Sequence, residues 1–346
     1  MSTLGRGFPV TSRERIRNII DGKPTDRCGF WLGNPHPDTL PLYHKYFGTS
    51  TLAELQLRIG DDFRWITPLF IESTYRHPEG KGLFDLWRHK KSLGEAGPLS
   101  ECESLQEVED FDWPSVKYIH VDECVEHLRS AGDYYRASGF WAAFFHDVMD
   151  IFGVESYLTK MYTHPEIVRA VTDHVCQVYF DANEMLFDKA GVEIDGFFFG
   201  NDFGTQRDLI LAPELFDEFV YPWFRRFTDQ AHARGYQVIL HSCGSIHRVI
   251  DRLIDAGVNC LHPLQARAFG MDAETLARDF GGRIAFLGGI DTQDVLVNKS
   301  PEEVKTEVRR IKRLLGPRLI VSPSHEALLP NVPPENVVAM AEAALE

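Results

Sequence analysis

Residues 235–262 read GYQVILHSCGSIHRVIDRLIDAGVNCLH. The apolar run at 236–240 follows a glycine and has the length and composition of a buried strand. Residues 245–256 then form a helical pattern that ends at the next glycine, and a second apolar run occupies 258–261. A strand, a helix and another strand in this order predict two parallel strands joined by a helical crossover.

The same alternation extends in both directions along the chain. Apolar strand candidates fall at 28–32, 63–67, 139–145, 193–199, 236–240, 258–261, 283–287 and 319–321. Helical patterns separate them, including a long one at 164–190 and one at 213–234. Eight apolar strands with intervening helices predict an α/β fold, a (β/α)8 TIM barrel. An open doubly wound sheet is the alternative, but no early strand is followed by the glycine-rich phosphate turn of that fold.

Residues 70–115 interrupt this rhythm. They combine turn formers and mixed charge with little helical periodicity, and they follow the second strand candidate. We therefore expect one barrel domain over residues 1–346 with an insertion at 70–115, folded as a β-ribbon and an acidic loop.

Charge and composition exclude several classes of function. The formal net charge of −15 makes nucleic acid a poor partner, and no stretch approaches the length of a membrane span. No secretory signal is visible, and six cysteines are scattered over 346 residues without the spacing of a disulfide-rich domain. These features predict a cytoplasmic protein with reduced thiols that acts on a small molecule. The sequence leaves the oligomeric state open.

Polar side chains follow most of the predicted strands. In a barrel of parallel strands, functional groups gather at the C-terminal strand ends. The residues found there are, in chain order, Trp31 and His36, His146, Asn201 and Asp202, His241 and Cys243, Gln265, Asp291, and His325 and Glu326.

His241 and Cys243 form the pair with the clearest chemistry. Residues i and i+2 of a strand point to one side, so an imidazole and a thiolate can converge there on one zinc ion. A catalytic zinc needs a third protein ligand, for which His325 is the first candidate and Glu326 the next. The alternative is a capped barrel histidine beside a core cysteine.

The remaining polar residues divide into two groups. Asp202, Asp291 and His146 are candidates for catalysis, while Trp31, Asn201, His36 and Gln265 are candidates for substrate binding. The structural alternatives are an N-cap or loop carboxylate for Asp202, a helix N-cap for Asp291, a hydrogen-bonded structural histidine for His146 and a packed aromatic for Trp31.

Four segments resemble one known superfamily. They are GNDFGTQRDLILAPELF at 200–216, ILHSCGSI at 239–246, GGIDTQDVL at 288–296 and SPSHEALLPNVPPENV at 322–337. Together they are similar to the uroporphyrinogen decarboxylase superfamily from about residue 139 to the end. That superfamily includes decarboxylases of the haem pathway and zinc-dependent methyltransferases that work with cobalamin. The resemblance implies a (β/α)8 barrel with a deep funnel.

The resemblance also distinguishes the two activities. The decarboxylases carry arginines after the first strand, whereas residues 31–37 read WLGNPHP here. The methyltransferases bind zinc through a histidine and a cysteine that match His241 and Cys243, plus a cysteine in the loop after the last strand. This chain has Ser324 and His325 in that loop, so the third ligand departs from the family pattern.

We therefore expect a zinc-dependent methyltransferase of this superfamily. It would move a methyl group between a corrinoid, carried by a partner protein, or a methoxylated small molecule and a thiol or corrinoid acceptor. One alternative is a metal-independent decarboxylase that uses Asp202 or His146. Another is a non-catalytic barrel that binds a corrinoid or another small ligand.

Overall fold

The computed structural model of this protein describes residues 10–82 and 95–346. Its strands are β1 (Gly29–Phe30), β2 (Phe63–Trp65), β3 (Tyr135–Ser138), β4 (Gly196–Gly200), β5 (Gln237–His241), β6 (Cys260–His262), β7 (Ala285–Ile290) and β8 (Leu319–Pro323). All paired neighbours are parallel, in the order β1-β8-β7-β6-β5-β4-β3-β2. With helices around the strands, the fold is the predicted (β/α)8 barrel.

Helices cover the outside of the strands. Those before β4 are α1 (Ser12–Asp21), α2 (Leu40–Phe47), α3 (Leu52–Arg58), α4 (Leu105–Glu109), α5 (Asp122–Ser130), α6 (Phe144–Phe152), α7 (Val154–Thr163) and α8 (Pro165–Ala190). Those after β4 are α9 (Pro213–Leu215), α10 (Tyr221–His232), α11 (Ile250–Asp255), α12 (Ala273–Phe280), α13 (Val295–Asn298), α14 (Pro301–Leu315) and α15 (Pro334–Leu345). A π-helical segment, Phe216–Val220, joins α9 to α10 within the single helix predicted at 213–234.

Two carboxylates help to close the barrel between β1 and β2. The main-chain N–H of Asp62 donates to the carbonyl oxygen of Phe30 at 2.9 Å. The Asp62 carboxylate accepts from the N–H of Phe30 at 3.1 Å, and the Asp61 carboxylate accepts from that of Leu32 at 3.1 Å. β1 has only two residues and forms few main-chain hydrogen bonds with β2. The two carboxylates accept from the N–H groups that would otherwise bond to carbonyl groups of a longer neighbouring strand.

The N-terminal helix closes the bottom of the barrel. Ile16, Ile19 and Ile20 of α1 are buried in the same cluster as the side chains that fill the barrel interior. Gly29 permits this contact, since a Cβ atom there would lie 2.4 Å from Cδ1 of Ile16. A ligand therefore has to approach from the C-terminal ends of the strands.

The third strand lies earlier than predicted. The apolar run 139–145 is not the strand; β3 is Tyr135–Ser138, and α6 begins at Phe144. Gly139 ends the strand with φ of 123°, and the next N–H, that of Phe140, donates to Asn183 of α8 at 2.8 Å. An apolar run of this length is equally compatible with a buried turn that leads into a helix.

The segment between β2 and β3 is described in part. Its described residues form short 3-10 turns, α4, α5 and one antiparallel bridge between Tyr75 and Ile119. The predicted β-ribbon falls partly on residues 83–94, outside the described residues. Across the ranges 10–82 and 95–346, no helix is both long enough and apolar enough to span a membrane.

Candidate metal centre

His241 and Cys243 meet at the C-terminal end of β5. His241 is the last residue of the strand and is buried, and its Nε2 lies 3.4 Å from Sγ of Cys243. Zinc bound tetrahedrally at about 2.0–2.1 Å by nitrogen and about 2.3 Å by sulfur separates those two ligand atoms by about 3.5 Å. The two side chains are therefore spaced as ligands of one ion.

Asp202, in the loop after β4, completes a group of three. Its Oδ1 lies 3.3 Å from Nε2 of His241 and accepts a hydrogen bond from the N–H of Cys243 at 2.7 Å. Ligand atoms of Asp202, His241 and Cys243 all lie within 4.8 Å of one another. One nitrogen, one sulfur and one oxygen in this arrangement suit zinc, which binds all three kinds of atom.

The other ring nitrogen of His241 faces a second pair of side chains. Nδ1 of His241 lies 3.0 Å from Nδ1 of His262 and 3.4 Å from Oε2 of Glu326. These three residues form another group whose ligand atoms lie within 4.8 Å of one another. Nε2 of His262 and Oε2 of Glu326 are buried and accept or donate no hydrogen bond within the described residues.

Burial and neighbouring charges set the protonation of these groups. Burial acts to lower the pKa of His241, but Glu326, Asp202 and Cys243 outweigh it and hold that pKa well above its usual value. Burial raises the pKa of the Cys243 thiol. His241 and the N–H of Cys243 overcome the effect of burial on Asp202 and lower its pKa to about 2. Burial and the neighbouring His241 hold the pKa of His262 well below its usual range.

The turn that carries Cys243 is held by two neighbouring loops, one after β4 and one after β6. The N–H of Gly244 donates to Oε1 of Gln265 at 2.7 Å, and the N–H of Ser245 donates to the carbonyl oxygen of Thr205 at 2.7 Å. Gly244 has φ of 87°, and a Cβ atom there would lie 2.2 Å from the carbonyl oxygen of Gly204. Only glycine fits this position without a shift of one of the two loops.

A cavity of about 250 Å³ lies next to Gln265, which binds the turn after Cys243, but Asp202, His241 and Cys243 do not line it. Gln265 and Ser324 belong to its wall, as do Thr292, Gln293 and Asn331. Hydroxyl and amide groups therefore predominate among its polar atoms. Its cation, Arg267, donates to Asp291 at 2.9 Å, so its charge is largely balanced.

Comparison with known proteins identifies the family. The uroporphyrinogen decarboxylase (URO-D) family matches residues 95–346, well over half of the chain. The chain belongs to the uroporphyrinogen decarboxylase family. No curated protein sequence matches this family member significantly.

The solved structures that resemble this uroporphyrinogen decarboxylase family chain include the following two. A methyltransferase from Methanosarcina mazei is 15% identical with a TM-score of 0.65, over 96% of this chain and 98% of that one. A Listeria monocytogenes protein, provisionally named a vitamin-B12 independent methionine synthase, is 11% identical with a TM-score of 0.46, over 92% and 96% of the two chains. At these identities the likeness to the first shows the barrel fold alone.

Two predicted site residues hold loops of this family member in place. His146 lies in the first turn of α6, not at a strand end, and its Nε2 accepts from the N–H of Asp202 at 3.2 Å. Asn201 is buried; its amide accepts from the N–H of Phe145 and donates to the carbonyl oxygen of Ala142, both at 2.9 Å. Both residues thus lie directly behind Asp202.

Other predicted residues lie farther from the group. Asp291 accepts from the N–H groups of residues 293–295 at the start of α13, although the N-cap of that helix is Asp294 and not Asp291. Trp31 is buried inside the barrel, and the side chain of His36 is 44% exposed. His325 lines the cavity, and neither group of ligand atoms includes it; its ring centroid lies 6.4 Å from that of His241.

Sequence reasoning passed over two residues beside the group. His262 precedes a proline at the end of β6 and is not among the candidate residues named from the sequence, yet its ring contacts that of His241. Trp141 packs against His241 with ring centroids 5.2 Å apart, in the space left by Gly200. The glycine at the end of the run GFFFG could have indicated this contact, because a glycine in a strand often marks a place where a large side chain packs closely.

Proposed function

We propose that this chain is a zinc-dependent methyltransferase. One side of the methyl transfer is a corrinoid carried by a partner protein or a methoxylated small molecule. The other side is a thiol or a corrinoid acceptor. The observation that carries the proposal is the spacing of His241, Cys243 and Asp202 at the open end of the barrel. Family membership and the likeness to a methyltransferase fold support it.

The residues present fit a zinc ion. His241 and Cys243 offer nitrogen and sulfur, and Asp202 offers an oxygen that remains ionised because its pKa is lowered to about 2. We take Asp202 as the third ligand in preference to His325, whose ring is half exposed and whose Nδ1 accepts from the N–H of Ala327 at 3.1 Å. Zinc bound there would hold an acceptor thiol as a thiolate at neutral pH, or polarise a methyl ether.

The other residues of the site orient and shield. Trp141 covers one side of His241 and excludes water from it. The cavity lined by Gln265, Gln293 and Asn331 would hold an uncharged polar substrate through its amide groups. Gln265 also fixes the turn after Cys243, which couples substrate binding to the position of the sulfur.

Decarboxylation of a substrate with many carboxylates has less support. Such a substrate needs cationic partners, and Arg267, the cation of the cavity wall, is paired with Asp291 and Asp294. The group around His241 is rich in negative charge instead, because it contains Asp202 and Glu326.

Metal content and methyl transfer test the proposal. We expect wild-type protein to bind one zinc per chain and His241→Ala and Cys243→Ala to bind it at least 100-fold more weakly, with loss of methyl transfer. Cys28→Ser is the matched control, because that cysteine is also half-buried and its thiol donates to the carbonyl oxygen of Ala344, far from His241 in the fold. Full zinc occupancy in both site variants would refute the proposal.

A further inference from the structure

A second cavity lies at the same end of the barrel as the candidate metal centre. Its volume is about 520 Å³, about twice that of the cavity described above. The loops after β4, β5 and β6 supply most of its wall, which includes Arg207, Ser245 and Phe269, and we call it the Phe269 groove. Ser245 lies two residues after Cys243, so the groove borders the turn beyond the metal centre without containing Cys243.

Arg207 supplies the groove with a cation that has no partner. The other two arginines of the wall are paired, Arg248 with Asp208 at 3.1 Å and Arg278 with Asp279 at 2.7 Å. The guanidinium of Arg207 forms no ion pair or hydrogen bond with any described residue. Its planar array of N–H donors is therefore available to a ligand, and it matches the two oxygens of a carboxylate.

The remaining charged groups of the wall are engaged within the protein. Asp272 is the N-cap of α12, and its carboxylate accepts from the N–H of Thr275 at 2.9 Å. Nε2 of His247 lies 2.8 Å from a carboxylate oxygen of Asp279. Arg207 is thus the charged group of the wall that remains free, and one free guanidinium balances one negative charge.

Phe269 supplies an apolar ring whose main chain is fixed. The residue is 76% exposed. Its N–H donates to the carbonyl oxygen of Gln206 at 3.0 Å, and its carbonyl oxygen accepts from Oγ of Ser245 at 2.7 Å. Gln206 directly precedes Arg207, so these bonds bring the ring and the free guanidinium to the same wall. The exposed ring offers a flat apolar surface on which another ring can stack.

We propose that the Phe269 groove binds an aromatic carboxylate, with its ring against Phe269 and its acidic group on Arg207. A volume of about 520 Å³ lies within the range of small-molecule sites, about 300–1,000 Å³. The concave wall that contains both residues distinguishes them from isolated exposed side chains. The groove is separate from the proposed metal ligands, so the inference does not depend on the proposed function.

Binding of 2-naphthoate tests the inference, because this probe combines a planar ring with one carboxylate. By isothermal titration calorimetry, we expect wild type to bind one molecule per chain. Arg207→Gln should bind it about 10-fold more weakly or worse, and Phe269→Ala about 3-fold to 10-fold more weakly. Both side chains are exposed, so neither substitution should unfold the protein. No binding to wild type at millimolar concentration, or wild-type affinity in either variant, would overturn the inference.

Two control variants and one neutral probe sharpen the test. Arg58→Gln on α3 and Tyr162→Ala on α7 also remove an exposed arginine and an exposed ring, and both should bind 2-naphthoate as wild type does. The uncharged 2-naphthamide should bind wild type and Arg207→Gln with the same low affinity, because it has no negative charge for the guanidinium. Equal affinities of wild type for 2-naphthoate and 2-naphthamide would show that Arg207 does not bind the acidic group.

Discussion

Asp202 accepts a hydrogen bond from the main-chain N–H of Cys243 at 2.7 Å. The contact joins the loop after β4 to the turn after β5 and places a carboxylate beside the sulfur. Asp202 thus holds the turn as an acceptor, and in the proposed function it is also a charged ligand for the metal.

Two substitutions of Asp202 separate these roles. Asp202→Asn keeps an acceptor oxygen but removes the charge, so we expect little change in the free energy of unfolding and at least 10-fold weaker zinc binding. Asp202→Ala also removes the acceptor and should lower the free energy of unfolding by about 1 kcal/mol. Urea unfolding of metal-free protein and chelator competition measure the two effects. Wild-type zinc affinity in both variants would show that Asp202 is no ligand.

Zinc affinity should depend steeply on pH. The pKa values of His241 and Cys243 are both raised in the metal-free protein, so both groups carry a proton at neutral pH. Zinc must displace both, so its affinity should rise about 100-fold per pH unit between about pH 6 and 8. His262 contributes no proton, because its pKa is lowered and it is already neutral.

The number of protons released provides the check. Calorimetric titrations with zinc in buffers of different ionisation enthalpy should give about two protons per zinc for wild type and about one for Cys243→Ser. A pH-independent zinc affinity would contradict the assignment of these two groups as ligands.

Gly244 offers a test of the turn itself. Gly244→Ala would place a Cβ atom 2.2 Å from the carbonyl oxygen of Gly204, so the turn must move and carry Cys243 with it. We expect zinc affinity to fall by at least 10-fold. Gly235→Ala is the matched control, because Gly235 also has a positive φ, 75°, but no atom lies within 4 Å of its Cβ position. It should cost about 1 kcal/mol of stability and leave zinc affinity unchanged. Equal zinc affinities in the two variants would disprove the predicted coupling.

The closure between β1 and β2 should depend on Asp62. Its buried carboxylate accepts from Arg15 at 2.9 Å and from Arg27 at 2.7 Å, besides the N–H of Phe30. Asp62→Ala leaves Arg27 without a carboxylate and Arg15 with Asp26 alone, so it should lower the free energy of unfolding by about 3–5 kcal/mol. Asp26→Asn is the control: the side chain of Asp26 is 43% exposed, so its pair with Arg15 should be worth less than about 1 kcal/mol. Similar urea midpoints for both variants would contradict this view of the closure.

The barrel could be predicted because its strands are short apolar runs between helices with clear ends. Thr11 and Thr51 begin their helices with capping boxes, a pattern visible in the sequence, and Pro165 is the first residue of α8. The third strand could not be located in this way. Its residues include Arg136, whose charge is neutralised by Glu193 and Asp195 only in the folded chain. The longer apolar run that follows it is buried in a turn and a helix.

The candidate site was predictable where it depends on local spacing. His241 ends β5 and Cys243 lies two residues later, directly after the strand, so a spacing of two residues was enough to predict that both side chains point to one side. The other partners come from loops after different strands, and spacing along the chain does not determine which loop reaches inward. Asp202 and Glu326 lie beside His241 because their loops fold across the barrel mouth, whereas His325 is turned toward the cavity.

The position of α1 has a practical consequence for work on this protein. The family match begins at residue 95, yet β1, β2 and the isoleucines that seal the barrel floor all precede it. A fragment trimmed to the matched range would lose two of the eight strands and the helix that closes the bottom of the barrel. Water would then reach the apolar side chains inside. Such a fragment should therefore aggregate when it is expressed. Domain boundaries for this protein should include every strand and helix that closes the barrel, and not only the residues that match the family.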